Sequence, residues 1–294
     1  MENIGGTFRL LRKSKHLSLD AVGKGIVTTS FLSRFERGQY DISVQNLNQL
    51  LERINVTWSE FVYINNDYKK NISNRISQCY LHEDIGGLEK IQQEIETNQD
   101  LTPTYHKLYS IMMKALIGSL TGIPLSKAEI NTVIHYLSSV ANWTSFELYL
   151  FGNTLMMLPI DNVVSLYKLM FQKGEEYNYL NTDNISSYTR VLNNAICYCC
   201  EQRRADEAVP MLEMFEKLID HPRQFYERMK LLNLRGLVLY CTGNVTDGLE
   251  SLYRSLFTCK LIDATTVLHH ELSYLDHFLT DDEVVGLRTR LKIS

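Results

Sequence analysis

The chain has 294 residues, of which 45% are hydrophobic, and its formal net charge at pH 7 is −4. This length exceeds the roughly 100–200 residues of a usual domain, so we expect two domains or an array of repeats. No apolar run reaches the roughly 20 residues that a membrane span needs, and the N-terminus MENIGGTFRLLRKSK lacks the apolar stretch of a secretory signal, which together predict a cytoplasmic protein with no membrane partner.

Apolar residues recur with the helical period along almost the whole chain. Only five prolines occur, and stretches of alternating polar and apolar residues are few. Because proline interrupts helices and a period of 3.6 residues marks one helix face, the pattern predicts an all-α fold. Enzymes built on α/β scaffolds are disfavoured.

The first 40 residues are more basic than the rest. They carry seven Lys or Arg residues against three acidic residues, a local charge of +4 in a chain whose net charge is −4. Such asymmetry favours an anionic partner for this segment. A basic surface helix without a partner is the alternative.

Five helices are predicted within the first 64 residues. The first lies in IGGTFRLLRKSKHL, Ser18 caps a short second helix, and Thr28 or Thr29 caps a third that runs to Gly38. The fourth lies in SVQNLNQLLERI, with Ser43 as its cap, and the fifth in TWSEFVYI. Their apolar stripes are expected to form the core of a compact bundle: Val44, Leu47, Leu50, Leu51 and Ile54, then Trp58, Phe61 and Val62.

The third helix, TTSFLSRFERG at residues 28–38, has an unusual outward face. Leu32 and Phe35 are three residues apart and are predicted to point inward, with Phe31 at one flank. The outward face carries small hydroxyls and arginines: Thr29, Ser30, Ser33, Arg34 and Arg37. Small residues and long donors suit a helix that enters the major groove of double-stranded DNA. Glu36 is expected either to pair with Arg12 or Arg9 or to be a plain surface acid.

These residues resemble a known DNA-binding motif. The pairs Arg9/Arg12 and Leu17/Ser18 and the run T-S-x-L-S-R-x-E-R-G at residues 29–38 resemble the XRE-type helix-turn-helix. The aromatic SRFERG variant, Leu19 in place of the usual glutamine, and the chain length resemble the Rgg family of Gram-positive regulators.

The resemblance implies roles for the candidate residues. Thr29, Ser30 and Arg34 match base-reading positions, and Arg34 is the best candidate for a bidentate contact to guanine. Arg9, Arg12 and Arg37 match positions near the phosphate backbone, which add affinity without reading sequence. DNA-binding domains of this type work as homodimers on two half-sites.

The rest of the chain contains a repeat with a period near 40. Residues 149–170, 191–215 and 231–256 each form an apolar helix, a break and an amphipathic helix. The third copy is similar to a tetratricopeptide repeat at five positions: Gly236, Tyr240, Gly243, Gly248 and Leu252. We therefore predict a helix-turn-helix domain at residues 1–65 and a helical-repeat domain for peptide binding and dimerisation at residues 66–294.

Three asparagines recur at intervals of 40 residues. Asn153, Asn193 and Asn233 each lie in the first helix of a pair, where asparagine is a poor helix former. In a curved array the first helices line the concave surface, where an amide can contact the backbone of an extended peptide. Alternatively, these amides tie neighbouring helices together.

The residues near these asparagines suit an apolar ligand. We expect the groove to be lined by Tyr149, Phe151, Leu192, Ile196 and Leu232. Such a lining fits a short hydrophobic peptide better than a polar metabolite. Arg190 either meets the peptide carboxylate or is solvated. The resemblance to Rgg proteins, which are cytoplasmic receptors for imported signalling peptides, implies the same ligand class.

No catalytic, metal or cofactor site is predicted. The six cysteines lack paired C-x-x-C spacing, so buried unreactive thiols are favoured over a metal site. Without a phosphate loop, a nucleophile elbow or His-x-x-x-His spacing, an enzyme has no support. The expected function is transcription regulation on operator DNA, controlled by a peptide. The alternative is a helical-repeat scaffold that binds and regulates a protein partner.

Overall fold

The computed structural model describes residues 4–65, 72–174, 182–219 and 224–293. Within these ranges the chain forms seventeen α-helices and one short 3₁₀ helix, which confirms the all-α prediction. The chain folds into two compact units, residues 1–91 and 92–294. This boundary lies beyond residue 65, and the functional division at that residue stays a prediction.

The five predicted helices of the first unit are all present. They are α1 (Ile4–Ser14), α2 (Leu19–Gly23), α3 (Thr29–Glu36), α4 (Val44–Arg53) and α5 (Trp58–Asn65), followed by α6 (Ile72–Leu81) and by α7 (Ile85–Thr97), which begins in this unit. Side-chain oxygens of Ser18, Thr28 and Ser43 accept bonds from backbone N–H groups three residues on, at 3.1 to 3.2 Å. Thr28, rather than Thr29, therefore caps α3.

The core of this unit follows the predicted stripes with three exceptions, of which Val62 is only half-buried. Leu32 and Phe35 point inward, and Phe31 is half-buried at their flank. Val44 and Trp58 were predicted to be buried but are 71% and 45% exposed. Each is the first residue of its helix, so its side chain lies at the end of the stripe rather than under the neighbouring helices.

A glycine lets α1 approach the end of α3. A Cβ atom on Gly5 would lie 1.9 Å from the carbonyl oxygen of Phe35, so no larger residue fits without backbone movement. Beyond α3, Gly38 adopts a left-handed backbone with φ of 71°, as is usual for the residue that ends a helix.

The described part of the second unit is a succession of helices. Its described helices are α8 (Pro103–Thr121), α9 (Lys127–Ser139), α10 (Ser145–Thr154), α11 (Ile160–Gly174), α12 (Thr182–Glu201), α13 (Ala205–Leu218), α14 (Phe225–Cys241), α15 (Val245–Leu261), α16 (Thr265–Leu275) and α17 (Asp281–Leu291). The 3₁₀ helix Leu155–Met157 lies between α10 and α11. The three predicted repeats correspond to α10/α11, α12/α13 and α14/α15.

The pair α14/α15 shows why the third repeat needs its glycines. A Cβ atom on Gly236 would lie 2.7 Å from Cγ of Leu252 and 2.9 Å from the carbonyl oxygen of Gly248. A Cβ atom on Gly248 would lie 2.7 Å from the backbone nitrogen of Tyr240. The two helices therefore cross in backbone contact at these two glycines.

Candidate functional site

The outward face of α3 is an open polar surface. Thr29, Ser30 and Arg34 are exposed and Ser33 is half-buried, while the opposite face is fixed in the core by Leu32 and Phe35. A shallow surface depression of about 600 Å³ runs from α2 to the start of α3 and includes Thr28 and Thr29. The polar side chains predicted for this face are thus brought together on one accessible helix.

Arg34 is held by a residue that the sequence pattern did not identify. Its Nη1 atom donates a hydrogen bond of 2.7 Å to the hydroxyl of Tyr40, and its guanidinium carbon lies 5.4 Å from the centre of the Tyr40 ring. The Tyr40 ring in turn stacks on Phe31 at 5.8 Å between centroids and an angle of 15°. The arginine predicted to read bases therefore has a defined direction although it is exposed.

Arg37 and Arg9 are also accessible. Arg37 follows the last residue of α3, and its Nη1 atom donates a hydrogen bond of 2.9 Å to the hydroxyl of Ser33. Arg9 lies on the exposed side of α1. Both leave guanidinium donors at the surface, as a phosphate contact requires.

Arg12 does not have the position expected of a phosphate contact. It is 7% exposed, and its Nε and Nη2 atoms donate to the two carboxylate oxygens of Glu36 at 2.6 and 2.7 Å. The remaining Nη1 atom donates to the carbonyl oxygen of Leu17 at 2.5 Å. The hydrogen bond to Glu36 outweighs desolvation and raises the pKa of Arg12. The predicted pairing of Glu36 is confirmed, and Arg12 joins α1 to α3 instead of facing solvent.

The three repeated asparagines do not share one environment. Asn153 is half-buried, and its Nδ2 atom donates to the carbonyl oxygen of Tyr149, one turn earlier in the same helix, at 2.7 Å. Asn193 is half-buried, and its Nδ2 atom donates to the side chain of Asn194 at 3.1 Å. Asn233 is only 2% exposed, so it does not line an open groove as predicted.

Two amide atoms of this set are buried without a hydrogen bond. They are Oδ1 of Asn193 and Nδ2 of Asn233, on α12 and α14. The predicted alternative, an amide that ties neighbouring helices together, is met in part by Asn153, whose Nδ2 atom also lies 3.8 Å from the sulfur of Met112 on α8. The neighbouring Asn194 makes a similar contact, because its Nδ2 atom donates to the carbonyl oxygen of Gly152 at 3.3 Å. A buried amide without a partner is destabilising, and a bound ligand or a change in packing can satisfy it.

The predicted apolar lining is mostly core. Phe151, Leu192 and Ile196 are fully buried and cannot contact a ligand in this conformation. Leu232 lines an apolar cavity of about 550 Å³ between α14, α15 and α16, together with Tyr226 and other side chains. Tyr149 is half-buried and Arg190 is exposed. Only part of the predicted groove is therefore accessible.

Polar contacts between distant helices of the second unit were not predicted from the sequence. Glu271 is 3% exposed and forms an ion pair with Lys230. The hydroxyl of Tyr274 donates to Glu201 at 2.8 Å. These partners are 41 and 73 residues apart, so no local spacing could have indicated them.

The cysteines behave mostly as the sequence predicted. Cys199, Cys200 and Cys259 are buried, and burial raises the pKa of the Cys199 thiol to about 11 and that of Cys197 to about 12. Thiols with such pKa values are unreactive at neutral pH. Cys241 differs, because a hydrogen bond from Cys200 lowers the pKa of its thiol.

The described residues offer neither a metal site nor a membrane span. Among them, no group of three His, Cys, Asp or Glu side chains could hold a metal ion. No helix within the described ranges is both long and apolar enough to cross a membrane.

Comparison with known families defines the class of protein. Residues 8–61 match the helix-turn-helix family model, in agreement with the exposed third helix of the bundle. Residues 88–270 match the C-terminal domain of HTH-type transcriptional regulators of the Rgg family. This second match covers more than half of the chain, so the chain belongs to the Rgg family of transcriptional regulators.

Solved structures share the fold over nearly the whole chain. The SHP pheromone receptor Rgg2 of Streptococcus dysgalactiae is 25% identical, and the match covers 93% of this chain and 98% of that one, with a TM-score of 0.77. A protein of Listeria monocytogenes EGD-e is 17% identical over 100% of this chain and 99% of that one, with a TM-score of 0.82. PrgX in complex with iCF10 is 18% identical, and the match covers 100% of this chain and 99% of that one, with a TM-score of 0.70.

Proposed function

We propose that this protein is a cytoplasmic transcription regulator that binds operator DNA through residues 1–65 and responds to a short hydrophobic peptide bound by residues 66–294. The observation that carries the DNA-binding part is the outward face of α3. Its polar side chains are exposed while its apolar side is fixed in a buried core.

In this proposal α3 lies in the major groove and reads base edges. Thr29, Ser30 and Arg34 face the bases, and Ser33 supports Arg37 from the same helix. A bidentate contact from Arg34 to guanine would give about 1–3 kcal/mol of discrimination against other bases. Arg9 and Arg37 bind phosphates, while Arg12 contributes indirectly by fixing α1 to α3 through Glu36.

A homodimer is part of the proposal. One α3 reads only a few base pairs, whereas two copies can read half-sites one helical turn of DNA, roughly 34–36 Å, apart. The C-terminal helices around LHHELSYLDHFL are the expected dimer contact. Operator DNA should then be a palindrome or near-palindrome.

The proposed peptide binding rests on the similarity to solved pheromone receptors and on polar atoms of the second unit. Rgg2 is a pheromone receptor by name, and PrgX has been crystallised with iCF10 and with cCF10. In this chain Tyr149, Asn153, Arg190 and Asn193 are at least partly accessible. A buried amide without a partner costs about 1–3 kcal/mol, so a peptide that satisfies Asn193 and Asn233 would favour a rearranged packing of α12 and α14.

The DNA part is tested with Arg34→Ala. We expect the variant to lose operator affinity by about 5-fold to 150-fold, which corresponds to 1–3 kcal/mol, while its helical content and peptide binding are unchanged. Arg254→Ala, which removes the same charge from an exposed position in the second unit, is the matched control. Equal operator affinity of Arg34→Ala and the parent protein would refute the assignment of α3.

A further inference from the structure

Tyr40 lies outside α3 but contacts its outward face. It follows the turn at Gly38, and the residue remains 46% exposed although it is large and aromatic. Phe31, on α3 itself, packs against the core on one side and stacks with the Tyr40 ring on the other. The ring is thereby fixed at the surface of the helix rather than free in solution.

The contact with Arg34 has two parts. The hydroxyl of Tyr40 accepts a hydrogen bond of 2.7 Å from Nη1 of Arg34, and the guanidinium lies near the ring at 5.4 Å from its centre. The hydrogen bond sets the direction of the planar guanidinium, and the cation–π contact holds it close to the helix surface.

The hydrogen bond leaves enough donors for DNA. A guanidinium has five N–H groups, and one of the two on Nη1 of Arg34 is used by Tyr40. The other four remain, and a bidentate contact to the O6 and N7 atoms of guanine needs two. Holding Arg34 in place before DNA arrives removes part of the ordering cost of binding.

We propose that Tyr40 is a positioning residue that sets the base specificity of Arg34. This inference rests on the proposed DNA reading by α3 and adds a residue outside the helix-turn-helix run to it. The hydroxyl acts on discrimination between sequences. Affinity for unrelated DNA comes from phosphate contacts of other residues and should not depend on Tyr40.

The test compares two DNA ligands across a set of full-length variants. A binding site is first selected from randomised duplex DNA with the parent protein, and the dissociation constants for this site and for a scrambled duplex are measured by anisotropy at fixed salt. The variants are Tyr40→Phe, Tyr40→Ala, Arg34→Ala and the double variants Arg34→Ala/Tyr40→Phe and Arg34→Ala/Tyr40→Ala. Tyr63→Phe, the same chemical change at an exposed tyrosine of α5, is the matched control.

We expect Tyr40→Phe to reduce the ratio of specific to scrambled affinity by about threefold to tenfold, because it removes only the hydroxyl. Tyr40→Ala should reduce the ratio further, because it also removes the ring. Neither change should alter binding to the scrambled duplex. In the Arg34→Ala background both Tyr40 changes should have no further effect, which is the sign of action through Arg34.

The outcomes separate this inference from the proposed function. If Arg34→Ala lowers the ratio but both Tyr40 variants keep the parent ratio, or if their losses add to that of Arg34→Ala, Tyr40 does not position Arg34. If Arg34→Ala has no effect, or if selection enriches no sequence, the proposed reading of DNA by α3 is wrong. Circular dichroism of each variant confirms that the helices are intact.

Discussion

The two units of the chain differ in how they hold their polar groups. In the first unit, the side chains predicted to contact DNA are at the surface, and the one that is buried, Arg12, has all three of its nitrogens in hydrogen bonds. In the second unit, the amides predicted to contact a peptide turn partly or wholly inward, and two of their atoms have no partner. Under the proposed function, the first surface is ready for DNA, whereas the second needs a change in packing to bind a peptide.

This difference fits the function that we propose for each unit. A DNA-reading helix gains affinity from side chains that are ordered before binding. A site that converts ligand binding into a change elsewhere needs two arrangements with different affinity for the ligand. Unsatisfied amides on α12 and α14 make the observed arrangement less stable than it could be, and so lower the free energy needed to leave it.

We expect the largest effect from a substitution that breaks the buried ion pair between Arg12 and Glu36 in the first unit. Glu36→Ala leaves the Arg12 guanidinium buried without its carboxylate, so we expect the first unit to lose about 3–5 kcal/mol of stability. Hydrogen exchange of peptides from α1 and α3, in the full chain, measures this loss. The double variant Arg12→Met/Glu36→Leu removes both charges and should recover most of the stability. Equal losses in the two variants would show that the pair does not act as a unit.

The second prediction concerns the backbone contact of the second unit. Gly236→Ala places a methyl group 2.8 Å from the backbone nitrogen of Leu252, which cannot move alone, so we expect a loss of about 1–3 kcal/mol. Gly286→Ala is the control, because a Cβ atom there meets nothing within 4 Å. It should leave the melting temperature unchanged or raise it. A Gly236→Ala protein as stable as the parent would mean that α14 and α15 do not cross in contact.

The third prediction tests the asparagines as a set. Replacing Asn153, Asn193 and Asn233 together by alanine should abolish the effect of peptide on DNA binding, a coupling of about 1–3 kcal/mol, and leave DNA binding without peptide intact. Anisotropy with and without peptide measures both quantities. If the response persists unchanged, these amides serve only the packing of the helices. Asn131→Ala, which removes an amide from an exposed position of α9, is the control and should preserve the response.

We expect the smallest effect at the surface ion pair between Lys114 and Glu129 in the second unit, in contrast to the buried pair of the first unit. A hydrogen bond from Lys114, with further bonds from Ser126, lowers the pKa of Glu129 to about 2. A carboxyl whose pKa is lowered by folding stabilises the fold above its usual pKa of about 4.3, and this contribution is lost as the pH falls towards 2. Glu129→Gln should therefore cost about 0.5–1 kcal/mol at neutral pH, and denaturant titrations near pH 2 should no longer distinguish it from the parent.

The sequence was most informative where the predicted DNA contacts lie on one helix. Capping residues and the spacing of Leu32 and Phe35 are local signals, and they predicted both the bounds and the orientation of α3. Tyr40 was missed because its contact with Arg34 forms across a turn and follows no helical period. Arg12 was misassigned to a phosphate contact because the sequence indicated its pairing with Glu36 but not that the pair is buried between α1 and α3.

The accessible residues of the second unit were harder to predict from the sequence, for a physical reason. The period of 40 residues identified equivalent positions in three helices, and the helices are where it predicted. However, α12 and α14 are packed on more than one side, so a position in the helix does not determine whether a side chain is accessible. Asn233 is buried and Asn153 is not, although they occupy equivalent places in the repeat.

The most direct test of the proposed function is fluorescence anisotropy of the purified protein on labelled DNA from its own upstream region, with short hydrophobic peptides titrated in. We expect specific binding that resists competition by scrambled DNA, and one peptide that changes the affinity by about 5-fold to 150-fold in either direction. Specific DNA binding that no peptide changes would contradict the role of the second unit as a peptide sensor. Failure to bind the DNA specifically at all would contradict the DNA-reading role of α3.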